Sequence, residues 1–211
     1  MPLLDRLRTL LPRRFRTGDV VPVIRLTGVI GAAMPLRQGL TLQAVAGALE
    51  RAFAWPEAKA VAIVVNSPGG SPVQSHLIFK RIRALAAEKE RTVLVFVEDA
   101  AASGGYMIAC AGDEIFADPS SLVGSIGVVS AGFGFEKLIE RVGVERRVHT
   151  AGRSKAMLDP FRPENPEDVA RLKEIQARIH DRFVGLVEER RGPRLTGERE
   201  RLFSGMVWSG D

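Results

Sequence analysis

Two apolar runs of this sequence each end in a glycine-rich turn that is followed by a helical pattern. The run Ala60–Asn66 leads into Ser67-Pro68-Gly69-Gly70-Ser71, and the run Thr92–Val97 leads into the small-residue segment Ala100–Tyr106 around Ser103-Gly104-Gly105. A strand, a short turn and a helix in succession favour right-handed crossovers between parallel strands. Since ligands of open α/β sheets bind at the carboxyl ends of the strands, both turns are expected at one functional edge.

The alternation of strand and helix patterns continues along the chain and predicts an α/β fold with a mostly parallel sheet. The other predicted elements are a strand and turn over Val20–Gly31, strands over Glu114–Ala117, Val123–Ser130 and near Val144–Val148, and helices over Leu40–Phe53, Val73–Ala87, Gly105–Ala111, Phe135–Val142 and Pro166–Arg191. We expect one domain over residues 19–211, preceded by a basic segment over residues 1–18.

Ser103 is the candidate nucleophile, because a serine on a tight strand-to-helix turn projects its hydroxyl from a rigid corner. The backbone N–H groups of Gly70 and Gly104 are the candidate oxyanion hole, since glycine lets the backbone approach a substrate closely. Small residues around a serine are equally typical of close backbone packing, and Ser-Pro-Gly-Gly alone is an ordinary turn. The local sequence leaves both interpretations open.

A base for this serine is less obvious, because none of the three histidines, His76, His149 and His180, lies in the segment that directly follows the serine. His149, at the end of a predicted strand, is the one histidine kept as an alternative. Lysine also serves as a base when it is desolvated, because burial disfavours the ammonium form. Lys155, followed by the apolar residues Ala156-Met157-Leu158, is the candidate, although a loop lysine is normally solvated.

Four ordered motifs resemble those of the signal peptide peptidase A family, the S49 serine peptidases, over roughly residue 19 to the end of the chain. The motifs are Ser67-Pro68-Gly69-Gly70, Ala101–Tyr106, Gly124-Ser125-Ile126-Gly127-Val128 and Gly152-Arg153-Ser154-Lys155. The resemblance implies a fold related to the Clp protease and crotonase folds, and a catalytic Ser-Lys dyad.

By that resemblance Ser103 is the nucleophile, Lys155 is the general base, and Ser125 is a hydroxyl that orients the lysine. Ala156 stands where members of the family often have a serine after the dyad lysine. Ser125 remains available to take over that orienting role. Clp proteases resemble this chain in the Ser-Pro-Gly-Gly turn and the serine segment, but they need a histidine downstream of the serine, which argues against them.

The resemblance also implies a serine endopeptidase that cleaves extended apolar peptides, such as residual signal peptides or membrane-protein fragments. Such peptides would bind by strand addition along Gly127–Ser130 and Ser71–Val73. The candidate substrate-binding residues are Ser71, Val73, Gly127, Val128 and Val129. No metal or cofactor is required, and because relatives assemble into rings or domes we expect a homo-oligomer.

Charge and cysteine content argue against several other classes of function. The formal net charge is +5, but the arginines concentrate in Arg6–Arg16 and Arg190–Arg201 rather than along the motifs. Aromatic residues make up 6% of the chain and do not alternate with the arginines, so we expect no nucleic-acid partner. The single cysteine, Cys110, excludes an intramolecular disulfide and a multi-cysteine zinc site.

Met1–Arg16 is a basic amphipathic segment. Its leucines at helical spacing are typical of a helix on an anionic membrane surface, and docking on its own domain or on a neighbouring subunit is equally compatible. No apolar stretch reaches the ~20 residues of a membrane span, and the segment lacks the apolar core of a secretory signal. We expect a location in the cytoplasm or at the cytoplasmic face of the membrane, and a domain that continues beyond Asp211.

Three other functions fit parts of this pattern. A crotonase-like acyl-CoA enzyme would share the fold and the paired N–H groups, but it would place glutamates or aspartates where this chain has Ser103 and Lys155. An inactive scaffold subunit would not need the dyad and the two glycines intact. A phage head-maturation protease belongs to the resembling family and differs in its cleavage target.

Overall fold

The computed structural model describes residues 20–31, 39–152 and 154–211. Its contacts divide the chain into two compact units, the first comprising the chain up to Ile126 together with Leu186–Asp211, and the second comprising Gly127–Gly185. The basic segment predicted over residues 1–18 lies outside the described residues. The prediction of one domain over residues 19–211 stays a prediction.

The secondary structure follows the predicted order of elements. The strands are β1 (Val23–Thr27), β2 (Ala60–Ser67), β3 (Thr92–Ala102), β4 (Glu114–Ala117), β5 (Leu122–Gly124) and β6 (Val207–Ser209). The α-helices are α1 (Leu42–Phe53), α2 (Pro72–Lys89), α3 (Gly104–Ala109), α4 (Glu136–Arg141), α5 (Pro166–Arg191) and α6 (Arg199–Leu202), with a 3-10 turn at Gly192–Arg194. Within the described ranges, no helix is both long enough and apolar enough to span a bilayer.

The strands form one six-stranded sheet in the first unit, in the order β1-β2-β3-β5-β6, with β4 also paired to β3. The pairs among β1, β2, β3, β4 and β5 are parallel, and only β5 with β6 is antiparallel. The predicted α/β fold with a mostly parallel sheet is confirmed. The carboxyl ends of β2 and β3 lie side by side, with Ser67 opposite Ala101.

The strand β3 changes partner along its length. Between the register pairs Val65–Val97 and Ser67–Ala101, β2 advances by two residues while β3 advances by four, so β3 bulges. Before the bulge β3 pairs with β4, and after it the end of β3 pairs with β5. Because a bulge re-aims a strand, β3 runs beyond its predicted end and delivers Ser103 at the sheet edge.

Helices α1 and α2 pack on the sheet through apolar side chains. Thr41 and Ser71 cap the two helices, because their side chains accept hydrogen bonds from the N–H groups of Ala44 and Gln74. In β1 and in the first half of β3 every second residue is buried, as the alternation along a strand requires, whereas Val61, Ala62 and Ile63 of β2 are all buried. Prominent buried residues of this core are Val45, Leu49, Phe53, Ile78, Ile82 and Leu85 from the helices and Leu26, Ile63, Val65, Val93 and Val95 from the strands.

The strand predicted over Val123–Ser130 is shorter than expected and ends at Gly124. Gly124 and Ser125 have φ angles of 90° and 51°. Positive φ angles turn the backbone away from the extended conformation, so the strand cannot continue through them.

The strand predicted near Val144–Val148 does not form, since residues 144–150 adopt neither helix nor strand. The side chain of Arg146 instead donates to the Asp159 carboxylate at 2.9 Å and lies over the Phe161 ring, 4.9 Å from its centroid. This segment therefore packs on the loop around Asp159 within the second unit. His149 is exposed and does not end a strand.

Candidate active site

Ser103 forms the corner between β3 and α3. Its φ of 52° and ψ of −122° lie outside the regions that residues with a Cβ normally adopt. Its N–H donates to the Gly124 carbonyl at 2.7 Å, and its carbonyl accepts from the Met107 N–H at 3.1 Å. The side chain is half-buried and does not cap α3. The predicted tight strand-to-helix turn is confirmed, and its backbone holds the serine in a strained, fixed position.

The glycine-rich turn after β2 lies directly against this serine. A Cβ built on Gly69 would lie 2.8 Å from the Ser103 Cβ and 3.0 Å from the Gly104 nitrogen. Gly69 also has a φ of 104°, which a residue with a side chain adopts only under strain. The structure therefore brings together the two turns that the sequence places at one edge of the sheet.

Gly70 and Gly104 carry the two candidate oxyanion donors. Among the described residues of the first unit, neither N–H has an acceptor. Gly104 begins α3, and the first N–H groups of a helix have no partner within it. Both glycines also pack on Ile30, because a Cβ on Gly70 would overlap the Ile30 carbonyl oxygen and one on Gly104 would lie 3.4 Å from the Ile30 side chain. The two available donors thus belong to turns that are held together by close packing.

Two buried serines pack against the beginning of α3. A Cβ on Gly104 would overlap the Ser75 hydroxyl oxygen, and a Cβ on Gly105 would lie 2.6 Å from the Ser67 carbonyl oxygen. Both serines are fully buried. Close backbone packing, the alternative that the sequence left open, is therefore present at the Gly104-Gly105 pair, and it coexists with the strained serine.

The other reactive groups of α3 are protonated at neutral pH. Burial raises the pKa of the Cys110 thiol to about 12, and a thiol rather than a thiolate is a poor nucleophile. Burial, followed by the neighbouring Cys110, also raises the pKa of Tyr106 to about 12. Cys110 is also fully buried whereas Ser103 is half-buried, so the serine is the more accessible of the two for nucleophilic chemistry.

Lys155 belongs to the second unit. It is exposed, and its N–H donates to the Gly152 carbonyl at 3.1 Å. Three residues further on, the Leu158 N–H donates to the Asp168 carboxylate at 3.2 Å, which ties this segment to the beginning of α5. Ser103 belongs to the first unit, so the pairing of the two side chains stays a prediction.

A cleft of about 1000 Å³ lies beside this lysine segment within the second unit. Its lining combines apolar residues, among them Phe135, Met157 and Leu172, with polar and charged residues, among them Asp159, Arg162 and Asp168. Phe135 also contacts the rings of Phe133 and Phe161 at centroid distances of 6.1 and 5.6 Å. The second unit therefore offers a cleft of mixed polar and apolar lining, of the size typical of ligand sites.

The other predicted site residues near the end of β5 fall on both sides of the boundary between the units. Ser125 belongs to the first unit, where its N–H donates to the Met206 carbonyl at 2.7 Å. Gly127, Val128 and Val129 begin the second unit without helix or strand. The role of Ser125 in orienting Lys155 stays a prediction.

Ser71 and Val73 lie at the beginning of α2. The Ser71 N–H donates to the Ile30 carbonyl at 2.8 Å, and the Ser71 carbonyl accepts from both the N–H and the hydroxyl of Ser75, at 3.0 and 2.9 Å. Pro72 has no N–H, and Val73 is already helical with 66% of its surface exposed. Strand addition along Ser71–Val73 does not fit this backbone, which leaves the exposed Val73 side chain for contact with a substrate.

The sequence did not assign functional positions to Gly69 or Gly124. Gly69 is part of the Ser-Pro-Gly-Gly motif, and because this turn was expected at the same sheet edge as the serine turn, a contact between Gly69 and the serine could have been predicted. Gly124 opens the motif Gly124-Ser125-Ile126-Gly127-Val128, but nothing in that motif indicates that its carbonyl accepts from the Ser103 N–H, because the contact depends on the pairing of β3 with β5.

Comparison with known proteins shows that this chain is similar in sequence to peptidases. A family model described as peptidase family S49 matches residues 86–211. A putative signal peptide peptidase SppA of Enterococcus faecium is 32% identical over 153 residues, which are 72% of this chain and 44% of that protein. A putative protease of Synechocystis is 30% identical over 200 residues, which are 94% of this chain and 68% of that protein.

A protein of Brucella melitensis is 59% identical over 206 residues, which are 97% of this chain and 28% of that protein. It carries the name Na(+)/H(+) antiporter NhaA. The chain thus spans less than half the length of the Brucella and Enterococcus relatives, and a name given to the whole of a longer protein carries no conclusion about the matched part.

Proposed function

The chain belongs to peptidase family S49, whose fold is related to the Clp protease and crotonase folds, and we propose that it is a serine endopeptidase with a Ser-Lys dyad. Ser103 is the nucleophile and Lys155 the general base of this proposal. The observation that carries it is the strained Ser103 corner, pressed against a glycine turn, with the N–H groups of Gly70 and Gly104 left without acceptors in the first unit.

The proposed reaction has two steps, acylation of Ser103 and deacylation, and Lys155 carries the proton in both. The Ser103 oxygen bonds to the carbonyl carbon of the peptide while neutral Lys155 takes the hydroxyl proton. The tetrahedral intermediate collapses, the C–N bond breaks, and the lysine ammonium returns the proton to the leaving amine. Water then attacks the acyl-enzyme ester, again losing a proton to Lys155, and the Ser103 oxygen leaves and is protonated.

The Gly70 and Gly104 N–H groups are the donors that would bind the oxyanion in both steps. Backbone donors at such positions contribute on the order of 3–4 kcal/mol each to transition-state stabilisation. They gain this from being fixed before the reaction begins, and the close packing of both glycines on Ile30 provides that rigidity.

A lysine base fits this chain better than a histidine base. His149 is exposed in a segment that forms no strand, which removes the structural reason for keeping it as the alternative. Lys155 is exposed as well, so a covering subunit or the bound substrate must exclude water from it before it can work as a base. This requirement supports the expected homo-oligomer, in the form of a ring or dome.

The proposed substrates are extended apolar peptides, such as residual signal peptides or membrane-protein fragments. The apolar residues in the lining of the cleft of the second unit and the exposed Val129, 88% of whose surface is accessible, support this class. Strand addition is proposed along Gly127–Ser130, since the beginning of α2 does not fit it. Peripheral contact with the cytoplasmic membrane face through residues 1–16 also stays a proposal.

Active-site labelling tests this function directly. The whole chain is treated with a fluorophosphonate and digested, and the modified peptide is identified by mass spectrometry, with hydrolysis of a short apolar peptide measured in parallel. We expect the label on Ser103, and we expect Ser103→Ala and Lys155→Ala each to abolish hydrolysis while the fold is retained. His149→Ala is the matched control and should keep its activity.

Two results would refute the assignment. No labelling and no hydrolysis by the folded oligomer would favour an inactive scaffold subunit. Near wild-type turnover in Lys155→Ala, together with loss of turnover in His149→Ala, would replace the lysine by the histidine as the base.

A further inference from the structure

Ser67 is a buried serine whose hydroxyl makes two hydrogen bonds next to the candidate oxyanion hole. It is the last residue of β2 and is fully buried. Its hydroxyl donates to the Gly28 carbonyl at 2.7 Å and accepts from the Gly69 N–H at 3.2 Å. A buried hydroxyl of this kind is normally satisfied, and here both of its partners are backbone groups.

Ser67 contacts three segments that meet at the active site. Gly28 follows β1, and its own N–H donates to the Asn66 carbonyl at 2.9 Å. Gly69 is the glycine that packs against Ser103, and Gly105 on α3 packs on the Ser67 carbonyl oxygen, which would be 2.6 Å from a Cβ at that glycine. One residue therefore connects the end of β1, the glycine turn and the helix that follows the nucleophile.

The peptide bond between Gly69 and Gly70 decides where the Gly70 N–H points. The Gly69 carbonyl accepts from the Ile30 N–H at 2.9 Å. Because a trans peptide is planar, its N–H points opposite to its carbonyl, so the Gly70 N–H is directed away from the Ile30 nitrogen. The orientation of this plane thus sets the direction of the proposed oxyanion donor.

The Ile30 N–H holds the carbonyl end of this plane, and because two successive glycines have little conformational preference of their own, the peptides on either side must be held as well. Gly69 and Gly70 have φ angles of 104° and 144°, and glycine adopts such values as readily as many others. On one side, the Ser71 N–H is held by the Ile30 carbonyl at 2.8 Å. On the other side, the Gly69 N–H is held by the Ser67 hydroxyl.

We propose that Ser67 is a positioning residue of the oxyanion hole: its hydroxyl fixes the Gly69-Gly70 turn so that the Gly70 N–H faces the reacting carbonyl. This inference rests on the proposed peptidase function and adds a residue to which neither the motifs nor the comparisons give a role. Ser67 acts through Gly69 and touches no substrate atom itself.

Ser121 offers a matched control for the loss of a buried serine hydroxyl. It is 2% exposed, and its hydroxyl donates to the Glu98 carbonyl at 2.5 Å and accepts from the Asp118 N–H at 3.2 Å. Ser121→Ala therefore removes the same two kinds of hydrogen bond as Ser67→Ala, one donated to a backbone carbonyl and one accepted from a backbone N–H, and it does so in the same unit. Its partners belong neither to the glycine turn nor to the Ser103 corner.

The experiment measures kcat and KM of the wild-type oligomer, Ser67→Ala and Ser121→Ala on a short apolar peptide, at a temperature where circular dichroism shows all three folded. We expect Ser67→Ala to lower kcat by about 10- to 100-fold, since removing a whole oxyanion donor costs about 100- to 1000-fold. KM should stay within about threefold, because the donor acts in the transition state rather than in substrate binding. Ser121→Ala should keep kcat within about threefold.

A peptide boronate provides the second readout, because its tetrahedral adduct on Ser103 places an oxygen in the oxyanion hole. Ser67→Ala should weaken boronate inhibition by about the same factor as kcat/KM, whereas Ser121→Ala should not. Ser67→Cys, which keeps a weak donor and acceptor, should recover part of the loss.

Equal losses of kcat in the two alanine variants, or an unchanged kcat in folded Ser67→Ala, would overturn the positioning role while leaving the peptidase function in place. A wild-type oligomer that neither hydrolyses the peptide nor reacts with a fluorophosphonate would overturn both.

Discussion

Replacing Ser103, the proposed nucleophile, by glycine should stabilise the protein relative to replacing it by alanine. Both Ser103→Gly and Ser103→Ala remove the hydroxyl, so both are inactive under the proposed mechanism. Only glycine also removes the Cβ that makes a φ of 52° and a ψ of −122° unfavourable. The difference in stability between the two variants therefore measures the backbone strain at the corner.

The magnitude follows from two opposing contributions. Strain of this kind costs on the order of 1–3 kcal/mol, and glycine relieves it. Glycine also loses more conformational entropy on folding, which costs roughly 0.5–1 kcal/mol relative to alanine. The free energy of unfolding of Ser103→Gly should accordingly exceed that of Ser103→Ala by about 1 kcal/mol. For a chain of this length that difference corresponds to a Tm higher by roughly 2–4 °C.

The assay is thermal and urea unfolding of both variants, followed by circular dichroism at the same protein concentration. Ser120 supplies the control, because it is exposed, lies in a turn, and is not among the described residues with positive φ. At Ser120 the order should reverse, with the glycine variant less stable than the alanine variant.

The reasoning would be refuted if Ser103→Ala were as stable as Ser103→Gly, or more stable, while the Ser120 pair behaved as expected. The corner would then carry no strain that a Cβ feels, and the packing of Gly69 on the serine would not hold it in an unfavourable conformation.

Three further outcomes are expected. Hydrolysis of a short apolar peptide should be lost in Lys155→Ala and kept in His149→Ala, because the proposed base is the lysine; turnover kept in the first variant and lost in the second would contradict it. Partial burial opposes the charge of Asp113, but a backbone hydrogen bond and two arginines outweigh it and hold the pKa of this carboxyl below the ordinary value. Its contribution to the free energy of unfolding is therefore present at neutral pH and is lost as the pH falls through that lowered pKa. Asp113→Asn should then lower the free energy of unfolding at pH 7 by about 1–2 kcal/mol and make that free energy less dependent on pH in acid, as measured by urea titrations. Glu174→Gln, which removes a carboxylate from exposed ion pairs, should change little. Equal effects of the two substitutions would contradict the stabilising role of Asp113. Deleting Met1–Arg16 should weaken sedimentation with anionic vesicles, and unchanged sedimentation with a smaller oligomer mass would assign the segment to subunit contact.

Local periodicity was sufficient to predict most elements of the fold. The helix over Leu42–Phe53, the strand over Glu114–Ala117 and the helix over Pro166–Arg191 have the expected type and nearly the expected bounds. Their signals come from residues within one window, namely an apolar stripe or an alternation together with capping residues. The corner at Ser103 was predictable for the same reason, since small residues and glycines between a strand and a helix are typical of a tight turn.

Predictions that depended on distant partners were less accurate. β3 extends to Ala102 because its end pairs with β5 after a bulge. β5 ends at Gly124 because Gly124 and the next residue, Ser125, both have positive φ angles. None of these facts can be read from the neighbouring residues alone.

The sequence by itself indicated which side chains are available for chemistry: a serine on a tight strand-to-helix turn, two glycine-rich turns, and a lysine followed by apolar residues. It also indicated a mostly parallel sheet, because strands and helices alternate along the chain. Only the tertiary structure decided that Gly69 touches Ser103, that Gly124 accepts from its N–H, and that Ser67 holds the glycine turn. The physical reason is that these contacts join segments far apart in the chain, and strand register, which sets them, depends on the packing of the whole sheet.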